Sequence, residues 1–199
     1  MLNEEFWTER YRNQQTGWDI GYPSTPLQKY FEQLSRKDIH ILIPGCGNAY
    51  EAEFLVKNGF QNITLVDISG FLVEKLQKHF ASYPQVKVIH TDFFAFTGKY
   101  DLIVEQTFFC AIEPSLRALY AKKMYELLSE KGKLVGLLFN REFEHSGPPF
   151  GGSKNEYLNY FEPYFDLKVF ETCYNSIPPR AGAELFMILE KKNHTTALG

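Results

Sequence analysis

Four consecutive apolar runs of this 199-residue chain each end in residues able to hydrogen-bond a nucleoside. The first, Ile39–Ile43, is followed by Pro44-Gly45-Cys46-Gly47, a turn in which Gly45 and Gly47 let a ligand approach the backbone without interference from a Cβ. The second ends at Asp67, twenty-two residues after Gly45 and ahead of Ile68 and Ser69. An acid about 20 residues beyond a glycine turn is placed to accept hydrogen bonds from a ribose diol. The third, Val86–Ile89, leads to Asp92-Phe93: an acid for an exocyclic adenine amine and a ring for the base. The fourth, Leu102–Val104, ends in Glu105-Gln106. Singly, a glycine pair can be a mere tight turn and a terminal Asp a helix cap. In chain order, the four spell a nucleoside site.

The same turn bears on which nucleoside. A pyrophosphate turn wants a third glycine so that helix and strand pack closely, and Tyr50 stands there instead. Glu51 and Glu53 enter the first turn of the following helix, where they repel a pyrophosphate and attract an amine. S-adenosylmethionine, whose tail carries an ammonium and a carboxylate, fits better than a nicotinamide or flavin dinucleotide.

The elements that must position these residues alternate. Strands are expected at 39–43, 63–66, 86–89, 102–104 and 134–139, with a closing pair at 167–173 and 185–190. Helices are expected at 51–57, 70–80 and 154–161, and most clearly at 115–129, with Gly132 as its stop signal. This order predicts an α/β fold, a doubly wound and mostly parallel sheet whose ligands sit at the carboxyl ends of the strands. No repeat or linker interrupts it, so residues 1–199 are treated as one domain.

Composition narrows the partners. A net charge of −3 and 44% apolar residues offer no basic footprint for nucleic acid. No apolar run approaches the ~20 residues of a membrane span, and Asn3-Glu4-Glu5 argues against a secretory leader. Cys46, Cys110 and Cys173 form no CxxC pair, which argues against a zinc site and fits a reducing cytoplasm. A small molecule is the expected partner, and a monomer the expected state.

The motifs "LIPGCG" (42–47), "LVDIS" (65–69), "TDFFAF" (91–96), "YDLIVEQTFFCAIEP" (100–114) and "GPPF" (147–150) resemble the thiopurine methyltransferase family of class I S-adenosylmethionine-dependent methyltransferases. They look most like its branch that methylates halides and thiols. The segment "FWTERYRNQQTGWDIGYPSTPL" (6–27) matches too, and the likeness spans nearly the whole chain. It implies a Rossmann-like seven-stranded sheet with an antiparallel C-terminal strand. It also implies that Gly45 and Gly47 lie along the methionine portion, Asp67 and Ile68 at the ribose, and Asp92 and Phe93 at the adenine. Trp7, Tyr11 and Trp18 would belong to an N-terminal lid, residues 1–34, with Glu105 and Gln106 completing the cofactor site. Gln106 departs from the Tyr usual in the branch and from the Arg of thiopurine enzymes, and Tyr11 stands where relatives tend to have Trp.

Methyl transfer to a thiolate or halide demands alignment more than acid–base help. None of the five histidines (His40, His79, His90, His145, His194) falls in a motif. Aromatic rings can stabilise a sulfonium by ~0.5–2 kcal/mol each, so Trp7, Tyr11, Trp18 and Phe108 are expected to wall the acceptor pocket. Phe94, Phe96 and Phe109 read as core, Cys46 as a small filler and Cys110 as buried. Glu105 reads equally as a ligand contact or a cap. Arg180 reads as an exposed charge, with reach to an anionic acceptor as the sharper alternative. Beside the enzyme stand two other readings: a non-catalytic S-adenosylmethionine-binding protein altered at Gln106, and a nicotinamide-dependent oxidoreductase, disfavoured by Tyr50.

Overall fold

Alternation within the apolar runs decides which face each side chain takes. In β1 (His40–Pro44), Ile41 and Ile43 join one buried cluster and Leu42 the other, so the strand is covered on both sides. The computed structural model describes residues 2–193, and His194 lies outside them. The remaining strands are β2 (Asn62–Asp67), β3 (Val86–His90), β4 (Tyr100–Gln106), β5 (Leu128–Phe139), β6 (Phe165–Thr172) and β7 (Glu184–Lys191). They form one seven-stranded sheet in the order β3-β2-β1-β4-β5-β7-β6. The first five are mutually parallel, and β7 inserts antiparallel between β5 and β6. This is the expected α/β architecture, including its antiparallel closing strand.

Helices α2 (Thr25–Glu32), α3 (Tyr50–Lys57) and α4 (Gly70–His79) cover one face through Leu27, Phe31, Leu55, Leu72 and Leu76. Helices α5 (Arg117–Leu127) and α6 (Lys154–Phe161) cover the other through Tyr120, Met124, Tyr157 and Phe161. Each such side chain contributes roughly 1.5–3 kcal/mol on burial. Among the described residues, no helix is long and apolar enough to cross a membrane.

The largest departure from the expected boundaries lies between α5 and β5, which starts at Leu128 rather than Leu134. The helix expected over 115–129 begins with a 3-10 turn at Pro114–Leu116 and stops at Leu127, where β5 starts at once. Leu128 is fully buried and pairs with Tyr100, the register then slips before Leu102, and Lys131 adopts φ +57°. Gly132 therefore belongs to an irregular strand, where a Cβ would lie 2.9 Å from the Ser129 carbonyl oxygen; it is not a helix stop.

The N-terminal segment holds two helices that were not among the expected elements, α2, whose Leu27, Tyr30 and Phe31 recur at helical spacing, and α1 (Glu4–Arg12). Asn3 Oδ1 caps α1 by accepting from Phe6 N–H at 3.1 Å. The helix is polar, and Thr8 is its buried residue. It docks on the start of α4, where Thr8 Oγ1 and Ser69 Oγ share a hydrogen bond of 2.8 Å and Glu4 Oε1 accepts from Gly70 N–H at 3.2 Å.

Candidate active site

Where the parallel strands end, the turn after β1 opens a cavity of about 620 Å³, within the usual range for small-ligand sites. Gly45 shows why glycine is required: its φ is +56°, and a Cβ there would lie 2.7 Å from Cγ of Phe108. Gly47 also has positive φ, and both glycines line the cavity. Cys46 is buried beside them, and burial raises its thiol pKa well above the ordinary value. It therefore stays neutral, as a filler would.

Asp67 ends β2 with its carboxylate buried, and Oδ1 accepts from Ser69 N–H at 2.9 Å. Burial pushes its pKa up to about 6, against hydrogen bonds that pull it down. Ile68 and Asp92 line the same end of the cavity, and Asp92 Oδ1 accepts from Phe94 N–H at 2.8 Å. Phe93 reaches the cavity as part of the core, its ring 5.1 Å from that of Phe108. Phe109 is core as expected, whereas Phe94 lines the cavity.

Trp7, Tyr11 and Trp18 also line the cavity and meet edge to face at 5.6 Å (Trp7 to Trp18) and 5.8 Å (Tyr11 to Trp18). Polar contacts fasten this segment to the strand ends. Asp19 Oδ2 accepts from Asn48 Nδ2 and from the Tyr50 hydroxyl, the latter at 3.2 Å. Ser24 N–H donates to Glu51 Oε1 at 3.2 Å and its hydroxyl to Gln106 Oε1 at 3.3 Å. Arg180 Nη2 donates to the Trp18 carbonyl at 2.9 Å. Asp19, Ser24 and Glu51 were not among the expected site residues. The only signal for the first two was their place just after Trp18; for Glu51 it was the acid at the helix start.

Twelve of the thirteen expected residues line this one cavity: those named above with Gln106, Phe108 and Arg180. Glu105 does not. Its side chain is 0% exposed, with Oε1 accepting from Phe108 N–H (2.8 Å) and Phe109 N–H (2.9 Å), and Oε2 from the Tyr120 hydroxyl. A carboxylate that closes its own turn this way faces the core, so the cap is the correct reading and the cofactor contact is withdrawn. Arg180 is corrected in the opposite sense. It is 9% exposed, paired with Glu184 at 3.5 Å, and packed over Phe139 at 5.5 Å. Its Nη1 is buried without a hydrogen-bond partner among the described residues.

These residues fit S-adenosylmethionine: a buried acid for the diol, a turn with two glycines for the amino-acid tail, and rings for the sulfonium. Comparison with known proteins agrees. A profile of the thiopurine S-methyltransferase family matches residues 2–195. A probable thiol methyltransferase 2 of Arabidopsis thaliana is 32% identical over 184 residues, covering 89% of this chain and 81% of that one. Thiocyanate methyltransferase 1 of Brassica oleracea is 30% identical over 191 residues, covering 92% and 83%. Among solved structures, 1,6-didemethyltoxoflavin-N1-methyltransferase of Burkholderia thailandensis, determined with S-adenosylhomocysteine bound, superimposes with a TM-score of 0.76 at 14% identity, covering 96% of this chain and 87% of that one. S-adenosylmethionine is the methyl donor, and the chain belongs to the thiopurine S-methyltransferase family.

Proposed function

We propose that the protein methylates a small soft nucleophile, a thiol or a polarisable anion of the thiocyanate or halide kind, in a pocket beyond the ends of β4 and β5. The observation that carries this reading is the composition of that end of the cavity. Phe139, Phe143, Pro148, Pro149 and Pro179 make apolar walls around the buried guanidinium of Arg180. An apolar wall favours a large, weakly hydrated nucleophile, and a buried cation favours a negative one.

The cofactor supplies an electrophilic methyl group on a sulfonium. Asp67 accepts from the ribose hydroxyls, Asp92 from the adenine amine, and Ile68 and Phe93 flank the nucleoside. Gly45 and Gly47 let the amino-acid tail lie against the backbone. The N-terminal segment, residues 1–34, is the lid: Trp7, Tyr11 and Trp18 cover the opening and exclude water, which raises the worth of each electrostatic contact inside. Gln106 departs from the family's usual residue at the acceptor, with its oxygen held by Ser24. That leaves its amide N–H groups to orient a lone-pair donor.

Release of S-adenosylhomocysteine, followed with thiols, thiocyanate, iodide and a thiopurine in parallel, tests the reading. Turnover of the anions or thiols supports it. Tight binding of the cofactor without turnover of any acceptor refutes it in favour of a non-catalytic binding protein.

A further inference from the structure

The sheet order lays the site out from end to end. Asp67 and Asp92 follow β2 and β3, the glycine turn follows β1, and β4 and β5 end on the far side. Glu51 lies in the first turn of α3, with Cys46 and Asp19 beside it on the turn side and a second set of neighbours reaching toward β4. Ser24 N–H donates to its Oε1 at 3.2 Å, the Ser24 hydroxyl continues to Gln106 at the end of β4, and the Arg180 guanidinium acts on its charge. Its side chain is 6% exposed, and that remainder lines the cavity.

We propose that Glu51 is the proton acceptor that allows this enzyme to use thiols as well as preformed anions; the inference rests on the methyl-transfer reading above. The other groups around the cavity are unsuited. Among the described residues no histidine lines it. The Cys46 and Cys110 thiols and the Tyr11 hydroxyl have pKa values raised by burial, so they stay protonated. Asp19 is engaged by Asn48, Tyr50 and Gly21, and Asp67 and Asp92 sit at the nucleoside end. Glu113 lines the rim and is more open to water.

Burial raises the Glu51 carboxyl above the ordinary range, with Asp19 adding to the shift, Arg180 opposing it and the neutral Cys46 thiol nearby. A carboxylate shifted toward neutrality suits proton transfer from a weak acid. In the step, the thiol S–H bond breaks and its proton moves to the Glu51 carboxylate. The thiol sulfur forms its bond to the methyl carbon as the methyl–sulfonium bond breaks, and that bonding pair stays on the cofactor sulfur. The negative charge of Glu51 and the positive charge of the sulfonium are lost together, and the proton leaves to solvent with the products. Thiocyanate and iodide bring no proton and bypass Glu51.

Glu51→Gln keeps an oxygen for Ser24 N–H and tests this directly. With an alkanethiol at pH 7, kcat/KM is expected to fall about 100-fold or more. Measured at saturating cofactor, the ratio of alkanethiol to thiocyanate turnover is expected to fall by the same factor, because an anion brings no proton. Equal losses on both acceptors at saturating cofactor, or unchanged thiol turnover, each overturn the proposal. Wild-type enzyme that turns over no acceptor removes the methyl-transfer reading itself, a separate failure. If the variant does not fold, the wild-type pH profile decides. Across thiols of different acidity, a low-pH midpoint that stays fixed supports Glu51, and one that tracks each thiol's own pKa overturns it.

Discussion

Asp67→Asn is expected to make the protein harder to unfold and worse at holding its cofactor. Burial lifts the Asp67 carboxyl from 3.8 to about 6, so the folded chain binds this proton more tightly than the unfolded chain. Stability from the protonated acid is complete below pH 4 and is lost as pH rises through about 6. Proton affinity higher by roughly a hundredfold, at about 1.4 kcal/mol for each factor of ten, puts the loss at about 3 kcal/mol at neutral pH. Asparagine keeps an oxygen for the Ser69 N–H and carries no charge. The cofactor-free variant should therefore gain up to about 3 kcal/mol at pH 7.5, or roughly 6–12 °C in Tm for a chain of this length. The gain shrinks as pH falls through 6 and disappears near 4. Against this, hydrogen bonds to an ionised partner contribute about 1.5–3 kcal/mol, so S-adenosylhomocysteine affinity should drop roughly 10- to 150-fold. Wild-type affinity should weaken below pH 6, and that of the variant should not. Thermal denaturation and calorimetry at pH 7.5 and pH 5 measure both quantities. A variant that is less stable at pH 7.5 refutes the burial argument, and one that binds the product as wild type does refutes the assignment of Asp67 to the ribose.

Glu105→Ala leaves two N–H groups and the Tyr120 hydroxyl without their acceptor. Urea denaturation should show a loss of about 1–3 kcal/mol per orphaned donor, while the folded fraction keeps its cofactor affinity within about threefold. Gly45→Ala sets a Cβ against Phe108 at positive φ. It should cost about 2–4 kcal/mol in stability and at least tenfold in cofactor affinity. Trp18→Ala removes two edge-to-face contacts but not the carbonyl that Arg180 holds. At about 0.5–1.5 kcal/mol per contact, stopped-flow release of the product should quicken roughly tenfold.

Some of this was legible because it depends on neighbours in sequence. The runs of β1, β2 and β4 are apolar on both faces, and only a sheet covered on both sides buries them, so a doubly wound sheet and its ligand side followed from alternation, while the order of the strands did not. The break at Leu127 was not legible. A leucine stripe continues through Leu128, and only the pairing of Leu128 with Tyr100 shows that the helix has ended. The same limit governs charges. Arg180 looks exposed until Glu184 and the Trp18 carbonyl are brought to it, and Glu105 looks ligand-facing until Tyr120 arrives from α5. Helix α1 is polar with one buried residue, so its place over α4 left no pattern to read.

The hydrogen bond between Arg180 and Trp18 joins residues 162 positions apart. During synthesis, the glycine turn and both nucleoside acids leave the ribosome well before the residue that fastens the covering segment. The contacts of Asp19 and Ser24 with Asn48, Tyr50, Glu51 and Gln106 can form before that, and the Arg180 contact is added last. Long-range contacts of this kind form late in folding. A chain cut short ahead of Arg180 also lacks β7, the strand between β5 and β6 whose Leu185, Met187 and Leu189 are fully buried, so the contact that holds Trp18 arrives together with the strand that completes the sheet.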